Sequence, residues 1–164
     1  MGTSQHSQGN RGGGYSGGHR DGGYQQDRVE PTIAGKTFSA WKSNIKQWIE
    51  QAIDKDTISF AEGMGKILKD DGLTTSQIRN VFGEMRKIQM NGFEKEKSNF
   101  LLLKAKLAYA TKRQQAKGMD KFYELFCEAY NSVDTTSEKG TAQFDKLLQV
   151  MEAVLAYHKF HGGQ

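Results

Sequence analysis

The chain holds one cysteine, Cys127, and one proline, Pro31. A lone cysteine excludes an internal disulfide and a cysteine zinc cluster, and suits a reducing cytoplasm. Set between Phe126 and Glu128 in a helical pattern, it reads as a packed or idle thiol. No apolar run reaches the roughly 18 residues of a membrane-spanning helix. The N-terminus lacks the apolar core of a signal peptide, and His6 stands where a myristoylation signal wants Ser or Thr. A phosphate loop is also missing, because "EGMGK" at 62–66 follows no strand and carries no Lys-Ser/Thr pair. Sustained strand alternation is absent throughout. The most telling absence is local: residues 97–119 contain no Asp or Glu, although they carry Lys97, Lys104, Lys106, Lys112, Arg113 and Lys117.

What is present divides the chain at Pro31. Residues 1–30 form a tail that holds nine of the nineteen glycines and two aromatics, Tyr15 and Tyr24. Such a segment cannot bury enough apolar surface to offset its ordering entropy, so it is expected to be disordered. "RGGGYSGGHRDGGY" has the character of Arg-Gly-Gly segments that hold RNA weakly by charge and stacking. Here Arg11, Arg20 and Arg28 are matched by Asp21, Asp27 and Glu30, so a flexible solubilising tail is the expected role.

Residues 31–164 read as one helical-bundle domain. Phe38, Trp41, Ile45, Trp48, Ile49 and Ala52 recur at helical spacing, and a second helix is expected from about Thr57 to Lys69. Thr74 and Gln77 make a capping box ahead of Ile78, Val81, Phe82, Met85 and Ile88, with a stop at Asn91-Gly92. A fourth helix is expected over 94–117, ended by Gly118. A fifth carries Phe122, Leu125, Phe126, Ala129, Tyr130 and Val133. The last carries Phe144, Leu147, Leu148, Met151, Val154, Leu155 and His158. The expected class is all-α, a compact bundle of five to six helices.

Charge is unevenly spread over this domain. Residues 31–77 are net zero and residues 119–164 are net −3, while residues 78–118 carry ten basic against three acidic side chains. On the expected fourth helix, Lys95, Asn99, Lys106, Arg113 and Lys117 fall within about 40° of one another. On the third, Arg79 and Arg86 nearly superpose with Gly83 between them, and Lys87 lies further round. A line of ammonium and guanidinium groups suits a phosphate backbone. An ordinary solvated face would interleave acids for i,i+4 pairing, and residues 97–119 hold none. Lys104 projects among Phe100, Leu101, Leu107 and Ala108, where its stem can lie on apolar surface while its ammonium reaches water. Leu102 and Tyr109 lie on the other side, so this helix is apolar on two sides, as a central or interface helix is.

Catalytic chemistry is thin. His158 and His161 are three apart with Glu152 earlier on the same helix, but the set lacks a further ligand, so no metal site, cofactor or enzymatic activity is expected. Charge and helix pattern leave binding roles open, among them a helical protein adaptor and a stand-alone helical RNA-binding protein.

Three segments narrow these roles. "LTTSQIRNVFGEMRKIQ" (73–89), "LLLKAKLAYATKR" (101–113) and "MEAVLAYHKFHGG" (151–163), in that order, resemble the small subunit of type III-A CRISPR effector complexes, the second of the Csm series. The likeness covers about residues 38–163, and Ala105 stands where the family often has proline. The resemblance implies a non-catalytic helical subunit that stacks with further copies of itself along a filament. Its partners would be backbone and large subunits, guide RNA and target RNA. Target cutting would belong to the backbone subunits and cyclic oligoadenylate synthesis to the large one. It also implies RNA-contacting roles for Arg79, Arg86, Lys87, Lys104, Lys106 and Arg113, which lie inside the matched segments. Lys117 joins them on helical geometry alone.

Overall fold

The computed structural model describes residues 29–114 and 117–164, apart from the side chain of Lys117. The expected disorder of the tail concerns residues that, up to 28, lie outside these. The fold is all-α, with six helices among the described residues: α1 Phe38–Glu50, α2 Lys55–Asp70, α3 Thr75–Asn91, α4 Lys97–Gln114, α5 Lys117–Asn131 and α6 Lys139–Phe160. Two two-residue strands precede them, β1 Thr32–Ile33 and β2 Lys36–Thr37, paired antiparallel. No strand was expected from the sequence, because two residues per strand are too short to show alternation. The turn between them places Ala34 and Gly35 at φ 48° and 84°, the left-handed geometry of a tight hairpin. Trp41 donates its indole N–H to the Ile33 carbonyl at 2.7 Å, and Ile33 is fully buried. The hairpin therefore fastens the chain entry onto α1. Glu30, just upstream, accepts from the Ser39 amide and hydroxyl in the first turn of α1.

The helices begin and end where local chemistry provides for their unpaired amides. Asp54 and Thr57 form a reciprocal box at the start of α2, so that helix opens two residues earlier than its apolar pattern suggests. Thr74 and Gln77 form the expected box on α3, and Gly92 at φ 97° ends it. Ala52 lies beyond α1 and is exposed. The expected stop at Gly118 is not one. α4 ends at Gln114, and Gly118 lies inside α5, where a Cβ would stand 2.7 Å from the Leu73 Cβ. Close packing, rather than chain reversal, requires glycine there.

α2 and α6 share the most extensive interface, and α1, α3 and α5 also pack on α6. The core has two aromatic clusters: Trp41, Trp48 and Phe60 at one end, Phe93, Phe100, Tyr130 and Phe144 at the other. His158 is fully buried at the end of α6, with Nε2 2.6 Å from the Leu73 carbonyl. A carbonyl only accepts, so Nε2 carries the proton. The last residues turn back here: the Gly163 amide donates to the His158 carbonyl, and the Thr75 amide and hydroxyl donate to Gln164 and Gly163.

Candidate nucleic-acid interface

The cationic segment folds into α3 and α4, which pack side by side. α3 turns Ile78, Val81, Met85 and Ile88 into the core, leaving Arg79 and Lys87 exposed on its outer side. Gly83 lies between them, and a Cβ there would meet nothing within 4 Å, so this surface is open. α4 turns in Phe100, Leu103, Leu107 and Thr111, whose hydroxyl is satisfied by the Leu107 carbonyl at 2.8 Å. Lys106 and Arg113, seven apart and thus about 20° out of register, stay exposed on one flank of α4. Among the described residues, Arg79, Lys87 and Arg113 form no ion pair.

Arg86 and Lys104 are held inside the bundle's own network. Arg86 turns toward α6. It pairs with Glu152, donates to Gln89 Oε1 at 2.8 Å, and lies 5.2 Å from the Phe82 ring centroid. Gln89 in turn donates to Asp145 at 3.1 Å, so Arg86 belongs to a tie between α3 and α6. Lys104 turns toward α5, its ammonium 5.4 Å from the Tyr130 ring centroid. Burial pushes the Tyr130 phenol above its ordinary pKa, with Cys127 adding to the effect. Arg79 and Arg86, close in sequence geometry, thus differ in role because α6 supplies a carboxylate to only one of them.

The line expected along the fourth helix is shorter than its sequence suggests. Lys95 precedes α4, in the turn after α3, and Asn99 is bonded to Glu96. Lys117 opens α5, and its side chain lies outside the described residues. Nor is the face free of acids. Glu84 of α3 reaches Lys106 at 3.8 Å, both side chains about half exposed. Such a pair contributes little in water and yields easily to another anion. Glu96, just before α4, takes hydrogen bonds from Asn99 and Asn91 that hold its carboxyl below the usual range, and Lys87 adds to this. The acids absent from residues 97–119 arrive from other elements.

The face also carries apolar side chains. Leu101 and Leu102 are about half exposed, and Tyr109 and Met90 more so. A polar cavity of about 510 Å³ lies elsewhere, between the end of α1 and the α5–α6 connection, lined by Glu50, Asp134, Lys139 and Gln143 among others. Its two carboxylates disfavour an anionic ligand. Asp134 is capped by the hydroxyls of Thr136 and Ser137, which lower its pKa to about 2. Among the described residues, no group of three His, Cys, Asp or Glu is placed to hold a metal. His158 is bonded to Leu73 and Glu152 to Arg86, so the helical His and Glu set does not converge.

Comparison with protein families decides the assignment. A family model described as Csm2 Type III-A matches residues 45–164, which take in α2 to α6 and α1 from Ile45 onward. The chain belongs to that family. It is therefore a small subunit of a type III-A CRISPR effector, the Csm complex, and the family is generally a non-catalytic structural subunit. No curated protein and no solved structure matches the chain. Among the described residues, no helix is long and apolar enough to cross a membrane.

Sequence reasoning missed the acids that hold Arg86 and Lys106, because Glu152 and Glu84 lie on different helices from their partners, 66 and 22 residues away. It also missed the packing role of the glycines in "EGMGK". A Cβ on Gly63 would stand 2.9 Å from Ile33 Cγ2, and one on Gly65 would meet α6. Two glycines inside an otherwise amphipathic helix were the signal available.

Proposed function

We propose that this Csm2-family chain holds the RNA of the complex by its phosphate backbone, through the outer sides of α3 and α4, and that it does no chemistry of its own. The observation that carries the reading is the set of exposed cations Arg79, Lys87 and Arg113, which form no ion pair among the described residues, with Lys106 only weakly paired, on two adjacent helices. Guide RNA and target RNA supply the phosphates, and binding of this kind carries no base information. Arg86 and Lys104 act mainly through the field they add, since each is engaged within the bundle. Lys117, the first residue of α5, joins this set on its sequence position alone. Leu101, Leu102 and Met90 provide apolar area for backbone and large subunits and for further copies of this chain. The work is cytoplasmic, where a lone Cys127 stays reduced.

The test is RNA affinity measured against salt for the full chain and for a double variant, Lys106→Glu with Arg113→Glu. The double variant should bind every RNA sequence more weakly. Its log affinity against log salt should flatten by roughly one for each phosphate no longer held. Melting should barely move, since exposed substitutions typically stay within about 0.5 kcal/mol. The RNA should be recovered uncut from the same titrations. Equal affinities and equal slopes would return these cations to a solvated face, and a purely protein-binding adaptor would stand in its place.

A further inference from the structure

Tyr109 is the exposed aromatic at the centre of the cationic end of α4. Its side chain is 69 % exposed, and among the described residues it makes no ring contact or hydrogen bond. Helix geometry sets Lys106 three residues before it, Lys112 three after and Arg113 four after, so cations border the ring on both sides. Leu102, seven residues earlier and 55 % exposed, extends the same outward strip about one heptad, or some 10 Å, along the helix. The helix from Lys97 to Gln114 contains no acidic residue, so nothing on it repels a polyanion. The burial of Phe100, Leu103, Leu107 and Thr111 on the opposite side shows that the bundle has no use for this ring in its own core.

An exposed aromatic ring bordered by cations on a helix free of acids is the combination that grips single-stranded nucleic acid: charge tracks the backbone and the ring offers a face to a base. A protein partner would be met better at the leucines, each with fewer basic neighbours than Tyr109: Lys97 and Lys104 for Leu101, Lys106 alone for Leu102. From this charge complementarity we infer that Tyr109 is a stacking platform for an unpaired RNA base, placed so that Lys106 and Arg113 hold the adjoining phosphates. The inference rests on the phosphate-binding role proposed above and adds a grip on the base. Stacking tolerates any base, so Tyr109 contributes affinity for unpaired RNA without selecting sequence. A duplex keeps its bases stacked internally and offers the ring nothing comparable.

The experiment uses the full chain with Tyr109→Leu and Tyr109→Phe, alongside the double variant Lys106→Glu with Arg113→Glu. The probes are an unstructured RNA carrying 2-aminopurine and a blunt RNA duplex. Tyr109→Leu should weaken binding of the single strand roughly 5- to 150-fold, the span that one base–aromatic stack covers. Its salt slope should stay that of the wild type, because Lys106 and Arg113 still hold their phosphates. Tyr109→Phe should bind like the wild type, and the 2-aminopurine signal should respond to wild type and Tyr109→Phe but not to Tyr109→Leu. Duplex affinity and melting temperature should be unchanged in both single variants. If Tyr109→Leu binds the single strand as tightly as wild type while the charge variant is weakened, the stacking inference fails and the phosphate reading stands. If no variant binds more weakly, both fail. Unchanged RNA affinity together with altered sedimentation of Tyr109→Leu would make Tyr109 a protein-docking residue and overturn the inference.

Discussion

Replacing Gly65 with alanine should destabilise the bundle although alanine is the better helix former. A Cβ at this position would stand 2.6 Å from the His158 amide nitrogen, 2.8 Å from the Tyr157 Cβ and 2.9 Å from the Tyr157 carbonyl carbon. Ordinary separations between such atoms lie near 3.5–4.0 Å, so α2 and α6 must part by about 1 Å at their crossing. None of the three atoms belongs to the free end of a side chain, so none can rotate away. Parting the helices loosens Val154 and Met151 in the core and lengthens the 2.6 Å bond from His158 to Leu73. Overpacking of this kind costs about 1–3 kcal/mol, against a helix-propensity gain of about 1 kcal/mol. Because backbone has to move, the upper part of that range applies and the net loss is about 1–2 kcal/mol. For a domain of this size, that is a fall in Tm of about 3–10 °C. Gly83→Ala is the internal control. Its Cβ meets nothing within 4 Å, so only the propensity gain of about 0.5–1 kcal/mol remains and Tm should rise. Thermal and urea melts followed by circular dichroism measure both variants. Gly65→Ala melting at or above wild type would refute the reasoning, as would Gly83→Ala melting below it.

Two further outcomes follow from the core and from the α5–α6 connection. Phe100→Ala empties the centre of the ring cluster formed with Phe93, Tyr130 and Phe144 and should cost about 3–5 kcal/mol in urea unfolding; a loss under 1 kcal/mol would mean that the cluster collapses to fill the site. Asp134 has its pKa lowered from 3.8 to about 2 by the Thr136 and Ser137 hydroxyls, so its bonds favour the ionised form in the folded chain. That contribution is complete above the unfolded value and is lost as pH falls through the folded one. The melting-temperature gap between wild type and Asp134→Asn should therefore hold steady from neutral pH down to about 5 and shrink between about 4 and 2. A gap unchanged across that window would show that the carboxylate is not the group being stabilised.

Helix identity was legible because apolar spacing is a property of one segment at a time. Phe38, Trp41, Ile45 and Trp48 are buried as their spacing requires, and the Thr74–Gln77 box reads directly from four letters. Boundaries were legible only where a cap announced them. Gly118 resembled a stop signal, yet its reason is close packing on Leu73, 45 residues earlier, which no local pattern carries. The same limit applies to the cationic face. Each helix's charges can be read from its letters, but not which neighbouring helix faces them, so Arg79 and Arg86 looked equivalent until α6 brought Glu152 to one of them. The Trp41 bond to Ile33 depends on a hairpin too short for any periodicity to reveal.

The pairing of α2 with α6 has a consequence for how the chain is made. α2 is finished early in synthesis, but the surface it packs against most extensively ends at Phe160, about 90 residues later. At roughly 5–20 residues per second, Phe60, Met64 and Leu68 stay uncovered for about 5–20 s after they leave the ribosome. During that interval the emerging α2 presents an apolar stripe interrupted by two glycines, which lower its helix propensity and keep it from setting early as a rigid apolar rod. Gly63 and Gly65, needed for close fit in the finished bundle, also leave the waiting segment pliable until its partner arrives.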